Sequence, residues 1–315
     1  MKLDRFSKFA WFVMIFNMAV ILWGALVRAS GSGAGCGSHW PLCQGEVIPL
    51  APQIQTAIEF AHRVSSGTAL LLVLGMVVWA WRVFPKGHRV RAGAVAVVIG
   101  MFAESIAGAG LVLFNWTAMN ISLGRIIIMP VHLVVTFYLL GALTLTAWWA
   151  SGGAAMRLRG QGTTLWMVAL GLLGTLVMAM AGAVTALGDT VLPVSSLNQA
   201  ALDALTPAGQ LLVDLRVWHP WVAVGIGAYL LFLVNRMRMS SRNIFVTRFA
   251  FALGILFVVE LGAGVLNIWL LVPIWMQLFH LLLANLVWIV MVLLSAATLA
   301  QDPQPQAQPV RAVEK

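Results

Sequence analysis

The sequence predicts an all-α integral membrane protein, with eight transmembrane helices arranged as two repeated four-helix bundles. Three observations carry that expectation. Of the 315 residues, 61% are hydrophobic and only 9% charged, and the mean hydropathy is +0.94, so there is too little polar surface to cover a soluble globule of this size. Apolar runs of about twenty residues, the length that crosses the hydrocarbon of a bilayer, occur eight times. Glycines and histidines then recur in the same order in the two halves of the chain.

Span 1 covers residues 9–29, behind Lys2, Arg5 and Lys8. Its apolar stretch is too long for the core of a signal peptide and no small-residue cleavage site stands out, so it is read as retained. Spans 2 (57–81) and 3 (92–114) are joined by a loop bearing Arg82, Lys86, Arg89 and Arg91. Spans 4 (126–150) and 5 (164–187) are joined through Arg157 and Arg159. Spans 6 (213–235) and 7 (244–267) flank Arg236, Arg238 and Arg242, and span 8 (273–300) precedes a tail containing Arg311 and Lys315. All these cations fall on one side. The opposite loops, about 30–56, 115–125, 188–212 and 268–272, hold Glu46, Asp189 and Asp203 but only Arg125 as a cation. Cations in short loops mark the cytoplasmic face, so both termini are expected there. The net charge of +9 thus reports topology rather than nucleic-acid binding. No Arg- and Ser-rich mitochondrial presequence is visible, which favours a bacterial inner membrane.

The repeat divides the chain into an N-terminal half, residues 1–156, a C-terminal half, 157–300, and a Pro- and Gln-rich tail, 301–315, expected to be disordered. Span 1 ends GALVRASG from Gly24 and span 5 ends GAVTALGD from Gly182; span 3 carries GAGL from Gly108 and span 7 GAGV from Gly262. Spans 2 and 6 carry His62 and His219 near their starts, and spans 4 and 8 carry PVHLVV and LFHLLL around His132 and His280. Agreement in order, span number and depth points to duplication, with the halves related by an axis along the membrane normal. The glycines would serve close helix packing.

Spans 2, 4, 6 and 8 all enter from the outer face, which puts the four imidazoles on the order of 10 Å below it, in one leaflet. A single membrane histidine is as often an interhelical hydrogen-bond or relay residue as a ligand. Four of them, two in each repeated half on alternate helices, favour paired axial ligation of haem iron. Zinc would want a third or fourth Cys, His or carboxylate close by. Arg28, Arg63, Arg125 and Arg216 cluster at the outer ends of spans; Arg63 follows His62, Arg216 lies three before His219, and Arg125 seven before His132. Guanidinium forks suit the carboxylates of haem propionates, although snorkelling to lipid headgroups is the plainer reading of each.

The halves differ. The residue three before each histidine is Glu59, Met129, Arg216 and Gln277, so only span 2 places an acid on the histidine face. Glu59 reads as an acid or base of the site, or simply as the partner of Arg63. Glu104 and Glu260 lie within spans 3 and 7 without matching positions in the repeat. Such acids are functional candidates by default, though no role is assigned to them. Both cysteines of the chain, Cys36 and Cys43, stand in the first outer loop within GCGSHWPLC, in an oxidising compartment. Closing so short a loop contributes about 2 kcal/mol, modest for a structural staple, which leaves both a redox-active and a loop-shaping role open. His39 between them reads as a surface residue, and His88, in a cytoplasmic loop, is set aside. One half thus has the features of a reaction site and the other those of an electron-transfer site.

The stretch GALVRASGSGAGCGSHWPLCQG, the EFAHR around Glu59 and His62, and the later His132, His219 and His280 resemble haem A synthase over about residues 10–300. The resemblance implies oxidation of the methyl group at position 8 of haem O to a formyl group, giving haem A for terminal oxidases. It implies a resident haem b on His219 and His280, a substrate haem on His62 and His132, catalysis by Glu59, and a first-loop disulfide between Cys36 and Cys43. It also implies haem O synthase and cytochrome oxidase assembly as partners. The chain departs from some members in having no cysteine pair in its third outer loop. Two other classes explain part of the pattern. A di-haem quinol-oxidising cytochrome accounts for the histidines but not for Glu59 and the cysteine loop. A haem carrier accounts for His and Arg in one leaflet, but the other leaflet lacks equivalent histidines.

Overall fold

In the computed structural model, which describes residues 3–193 and 202–300, the regular structure is helical. Helix α1 (Arg5–Ala29) leads through a single 3-10 turn to α2 (Ile54–Val83), α3 (Arg89–Leu113) and α4 (Leu123–Ala150). Then come α5 (Thr163–Val191), a short α6 (Pro207–Arg216), α7 (Trp218–Ser240), α8 (Ile244–Trp269) and α9 (Ile274–Thr298). Eight segments are long and apolar enough to cross a membrane, with α6 and α7 together forming one of them. Large apolar side chains such as Leu71, Ile106, Trp166 and Trp269 point outward from these helices. The tail and part of the third outer loop lie outside the described residues.

Helix starts are written in the sequence. Asp4 accepts from the Ser7 amide at the head of α1, Ser122 from Arg125 at α4, and Asn243 from Phe245 at α8. Each satisfies an N–H that the helix leaves unpaired. His88 belongs to this set: its Nδ1 accepts from the Val90 amide and caps α3.

One expected span is broken. The sixth divides at Val217 into α6 and α7 because Pro220 has no N–H to offer the Arg216 carbonyl one turn back. The freed carbonyl accepts from Thr185 Oγ1 of α5 at 3.3 Å.

Packing closes two rings. Helix α1 packs on α2, α2 on α3, α3 on α4 and α4 on α1; the same cycle runs through α5, α7, α8 and α9. The rings meet along α1 and α4 on one side and α5 and α9 on the other. Helices α4 and α9 are therefore the most enclosed, with 44% and 56% of their spanning windows buried against 22–28% elsewhere. At the seam Trp288 stacks on Phe137, with ring centroids 5.0 Å apart, and donates to the Phe137 carbonyl at 2.7 Å.

Candidate functional site

The four histidines open from α2, α4, α7 and α9 on the face that carries the first loop. His219 and His280 face each other with ring centroids 6.4 Å apart and planes at 74°. Two imidazoles that ligate one metal from opposite sides, with metal–nitrogen distances of about 2 Å, place their centroids roughly 6 Å apart, so this pair fits a single six-coordinate ion. His62 and His132 are electrostatic neighbours in the other ring. Among the described residues no three His, Cys, Asp or Glu side chains converge as a compact metal cluster requires; the donors come in imidazole pairs.

Glycines set how closely the walls approach the rings. A Cβ on Gly24 would stand 2.9 Å from His62 Cε1, one on Gly182 3.1 Å from His219 Cε1, and one on Gly264 3.2 Å from His280 Cε1. The repeat predicts Gly110 as the fourth cradle, yet its Cβ would meet only Phe114. His132 is the one imidazole without a glycine wall.

The reason lies in the two acids of spans 3 and 7 that have no matching positions in the repeat. Glu260 Oε2 on α8 stands 3.2 Å from His280 Nδ1, and Glu104 Oε2 on α3 stands 3.5 Å from His132 Nδ1. Glu104 precedes Gly110 by six residues whereas Glu260 precedes Gly264 by four. Bringing Glu104 to His132 therefore turns α3 by about half a revolution relative to its counterpart and carries Gly110 away from the ring. Glu104 has a further partner, Thr136 Oγ1, at 2.8 Å. His62 and His219 form no such carboxylate pair among the described residues.

Glu59 is buried and engaged. Its Oε2 accepts from the Cys36 amide at 2.8 Å and its Oε1 from Arg63 Nη2 at 2.5 Å and Nε at 3.2 Å. Arg63 also donates to the carbonyls of His39 and Leu42, each at 2.5 Å. Cys36 and Cys43 are joined in a disulfide, and Thr56 Oγ1 donates to the Gly35 carbonyl at 2.8 Å. Gly35 is obligatory here, since a Cβ would fall 2.6 Å from the Gln55 backbone. The disulfide loop is thus fastened to the first turns of α2, immediately ahead of His62, while the His39 side chain stays exposed.

The other arginines make similar use of backbone carbonyls. Arg125, buried, donates to those of Thr117, Ala118 and Asn120. Arg216 donates to Leu192 at 2.9 Å and lies 3.8 Å from Asp189. Arg28 crosses the seam to the Ala186 carbonyl and Thr190 Oγ1, both at 2.5 Å, and to Gln277 Oε1 at 3.2 Å. A guanidinium carries five N–H donors, so these bonds occupy part of each fork.

Residues 7–292 match the family described as Cytochrome oxidase assembly protein, COX15-CtaA. A Protoheme IX farnesyltransferase of Thermus thermophilus is 51% identical over 299 residues, which cover 94% of this chain and 49% of that protein. A Heme A synthase of Alkalihalophilus pseudofirmus is 43% identical over 98 residues, 31% of this chain and 33% of that one. A Heme A synthase of Exiguobacterium sibiricum is 40% identical over 114 residues, 36% and 37% of the two chains. The chain spans about half the length of the long Thermus relative and matches the two synthases over about a third.

Proposed function

The chain belongs to the COX15-CtaA family of cytochrome oxidase assembly proteins, and from that premise we propose that it is a haem A synthase, oxidising the C8 methyl group of haem O to a formyl group. The observation that carries this reading is the inequality of the two imidazole pairs. His219 and His280 face each other at the spacing of one ion, and glycines wall both rings. His62 and His132 stand in the half that lacks one glycine wall and carries the fastened loop with Glu59. A fixed group suits the first pair and an exchanging substrate suits the second.

In this reading His219 and His280 would hold a resident haem b, with the Arg216 guanidinium available to its propionates. When bound, that group supplies one-electron transfer. His62 and His132 hold haem O by its iron and so fix the ring edge, while Arg28, Arg63 and Arg125 stand at the outer rim, where propionates would emerge. Each hydroxylation joins a water oxygen to the methyl carbon in place of one hydrogen and releases two protons and two electrons, the electrons passing one at a time to an electron acceptor outside the chain. A second round gives a gem-diol, which loses water to become the formyl group. Glu59 would serve that carbon: Arg63 and the Cys36 amide hold its carboxylate as an acceptor, a form that would stabilise positive charge on the carbon and take a proton from the attacking water.

The Thermus relative's name favours a second reading, farnesyl transfer to protohaem. Prenyl transfer needs clustered acids to hold a magnesium diphosphate. The chain has ten acids, and the nearest two, Asp203 and Asp214, stand about three helical turns apart in sequence. We therefore assign the farnesyl chemistry to the half of that relative that has no counterpart here. Its product would be the substrate of this chain, which makes haem O synthase and the oxidase assembly apparatus the expected partners. The cation-rich loops support a reading with both termini in the cytoplasm, in keeping with a bacterial inner membrane.

Pigment extraction from cells with and without the gene tests the reading. Loss of the formyl-bearing haem with accumulation of haem O supports it. Unchanged haem A with a quinol-oxidation defect indicates a di-haem cytochrome, and loss of several haems together indicates a carrier.

A further inference from the structure

Two acids within the membrane face histidines and have no place in the reaction just described. In each ring one imidazole, His132 or His280, has its Nδ1 turned to a glutamate of the preceding helix, at 3.5 and 3.2 Å. All four atoms of these two contacts, His132 Nδ1, Glu104 Oε2, His280 Nδ1 and Glu260 Oε2, are buried and have no hydrogen-bond partner among the described residues, the paired approach being a close contact rather than a well-aligned hydrogen bond. Polar atoms left over in an apolar interior cost free energy unless they serve each other. They also sit on the two most enclosed helices or against them.

We propose that Glu260 and Glu104 are positioning residues for haem ligation: each accepts the Nδ1 proton of its histidine, fixes the tautomer and leaves the Nε2 lone pair for iron. An acceptor on the far nitrogen makes an imidazole a stronger donor, and loss of such outer partners typically weakens metal sites by 10–100-fold. The two contacts are graded. Among the described residues Glu260 faces His280 alone and more closely, which suits a group that stays. Glu104 divides its acceptors between His132 and Thr136, and its histidine lacks a glycine wall, which suits a haem that must leave as product. Each haem is then held asymmetrically, by one imidazole backed by a carboxylate and one without a carboxylate partner among the described residues.

This inference rests on the proposed function, and its test separates the two. The full chain is purified with the haem it carries, and haem content, low-spin EPR signal and midpoint potential are read for wild type, Glu260→Leu and Glu260→Gln. The leucine, having no acceptor, should raise the midpoint potential, move the EPR signal and cut haem retention about ten-fold or more. Glutamine keeps an acceptor oxygen and should restore retention with a smaller shift in the same direction. Thr136→Val should alter only the spectrum of added haem O, not that of the resident haem. A wild-type chain with no two-imidazole haem overturns the functional reading. A haem-bearing wild type whose Glu260→Leu and Glu260→Gln forms match it in potential, EPR and retention overturns the inference alone. If the leucine form cannot be purified, an unchanged glutamine form decides against it.

Discussion

The smallest side chains carry the sharpest expectations. Gly24 and Gly264 stand so close to His62 and His280 that a Cβ must displace the ring. Gly264→Ala should lower the content of resident haem in the purified protein, and Gly24→Ala should weaken binding of added haem O, each by about ten-fold, since misplacing a ligand by a fraction of an ångström forfeits much of its bond. Glu59→Gln keeps the shape of the clasp but takes its charge from Arg63. Formyl-haem production should fall by about 100-fold or more while the resident haem spectrum is unchanged, as measured by pigment extraction and difference spectroscopy. At this scale the sequence showed which residue types matter better than what they touch. The four histidines stood out because imidazoles are rare in lipid and recurred in register. Glu104 and Glu260 stood out as membrane acids but without a role, because their offsets from the repeated glycines differ by two residues, enough to hide a shared one. The arginines were legible as an outer-face cluster, but the carbonyls that receive Arg63 and Arg125 belong to loops whose folding back no periodicity announces.

At the scale of elements, apolar length sufficed to locate all eight spanning segments, and charge and capping residues lie where the helices begin. The break between α6 and α7 escaped a reading based on hydropathy, which is blind to hydrogen bonds; Pro220 was its visible cause. Restoring the missing N–H by Pro220→Ala should complete the ladder to the Arg216 carbonyl, release Thr185 and rotate the start of α7, where His219 sits. The expected outcome is a changed EPR signal for the resident haem. An identical signal would show that His219 is placed by its contacts with α5 rather than by the helix break.

At the scale of the whole molecule, the two rings repeat one plan but are joined by contacts that belong to neither. Trp288→Phe removes the bond to the Phe137 carbonyl while keeping an aromatic ring in the stack. It should lower stability by about 1 kcal/mol, read as an earlier denaturant midpoint in detergent, with both haem sites spectrally unaltered. The plan of two similar rings was legible from glycine and histidine spacing. The seam was not, because its residues, Phe137, Trp288 and Arg28, have no counterparts in the repeat to draw the eye.

Arg28 ends the first helix, yet its acceptors Ala186, Thr190 and Gln277 belong to the fifth and last spanning segments. During synthesis the first four spans are therefore complete long before that guanidinium can be satisfied. An N-terminal fragment made alone would hold an unpaired cation at its flank, while a co-expressed C-terminal fragment would supply all three acceptors. The order of translation thus leaves a charged hand extended from the earlier half, to be taken only when the final helix arrives.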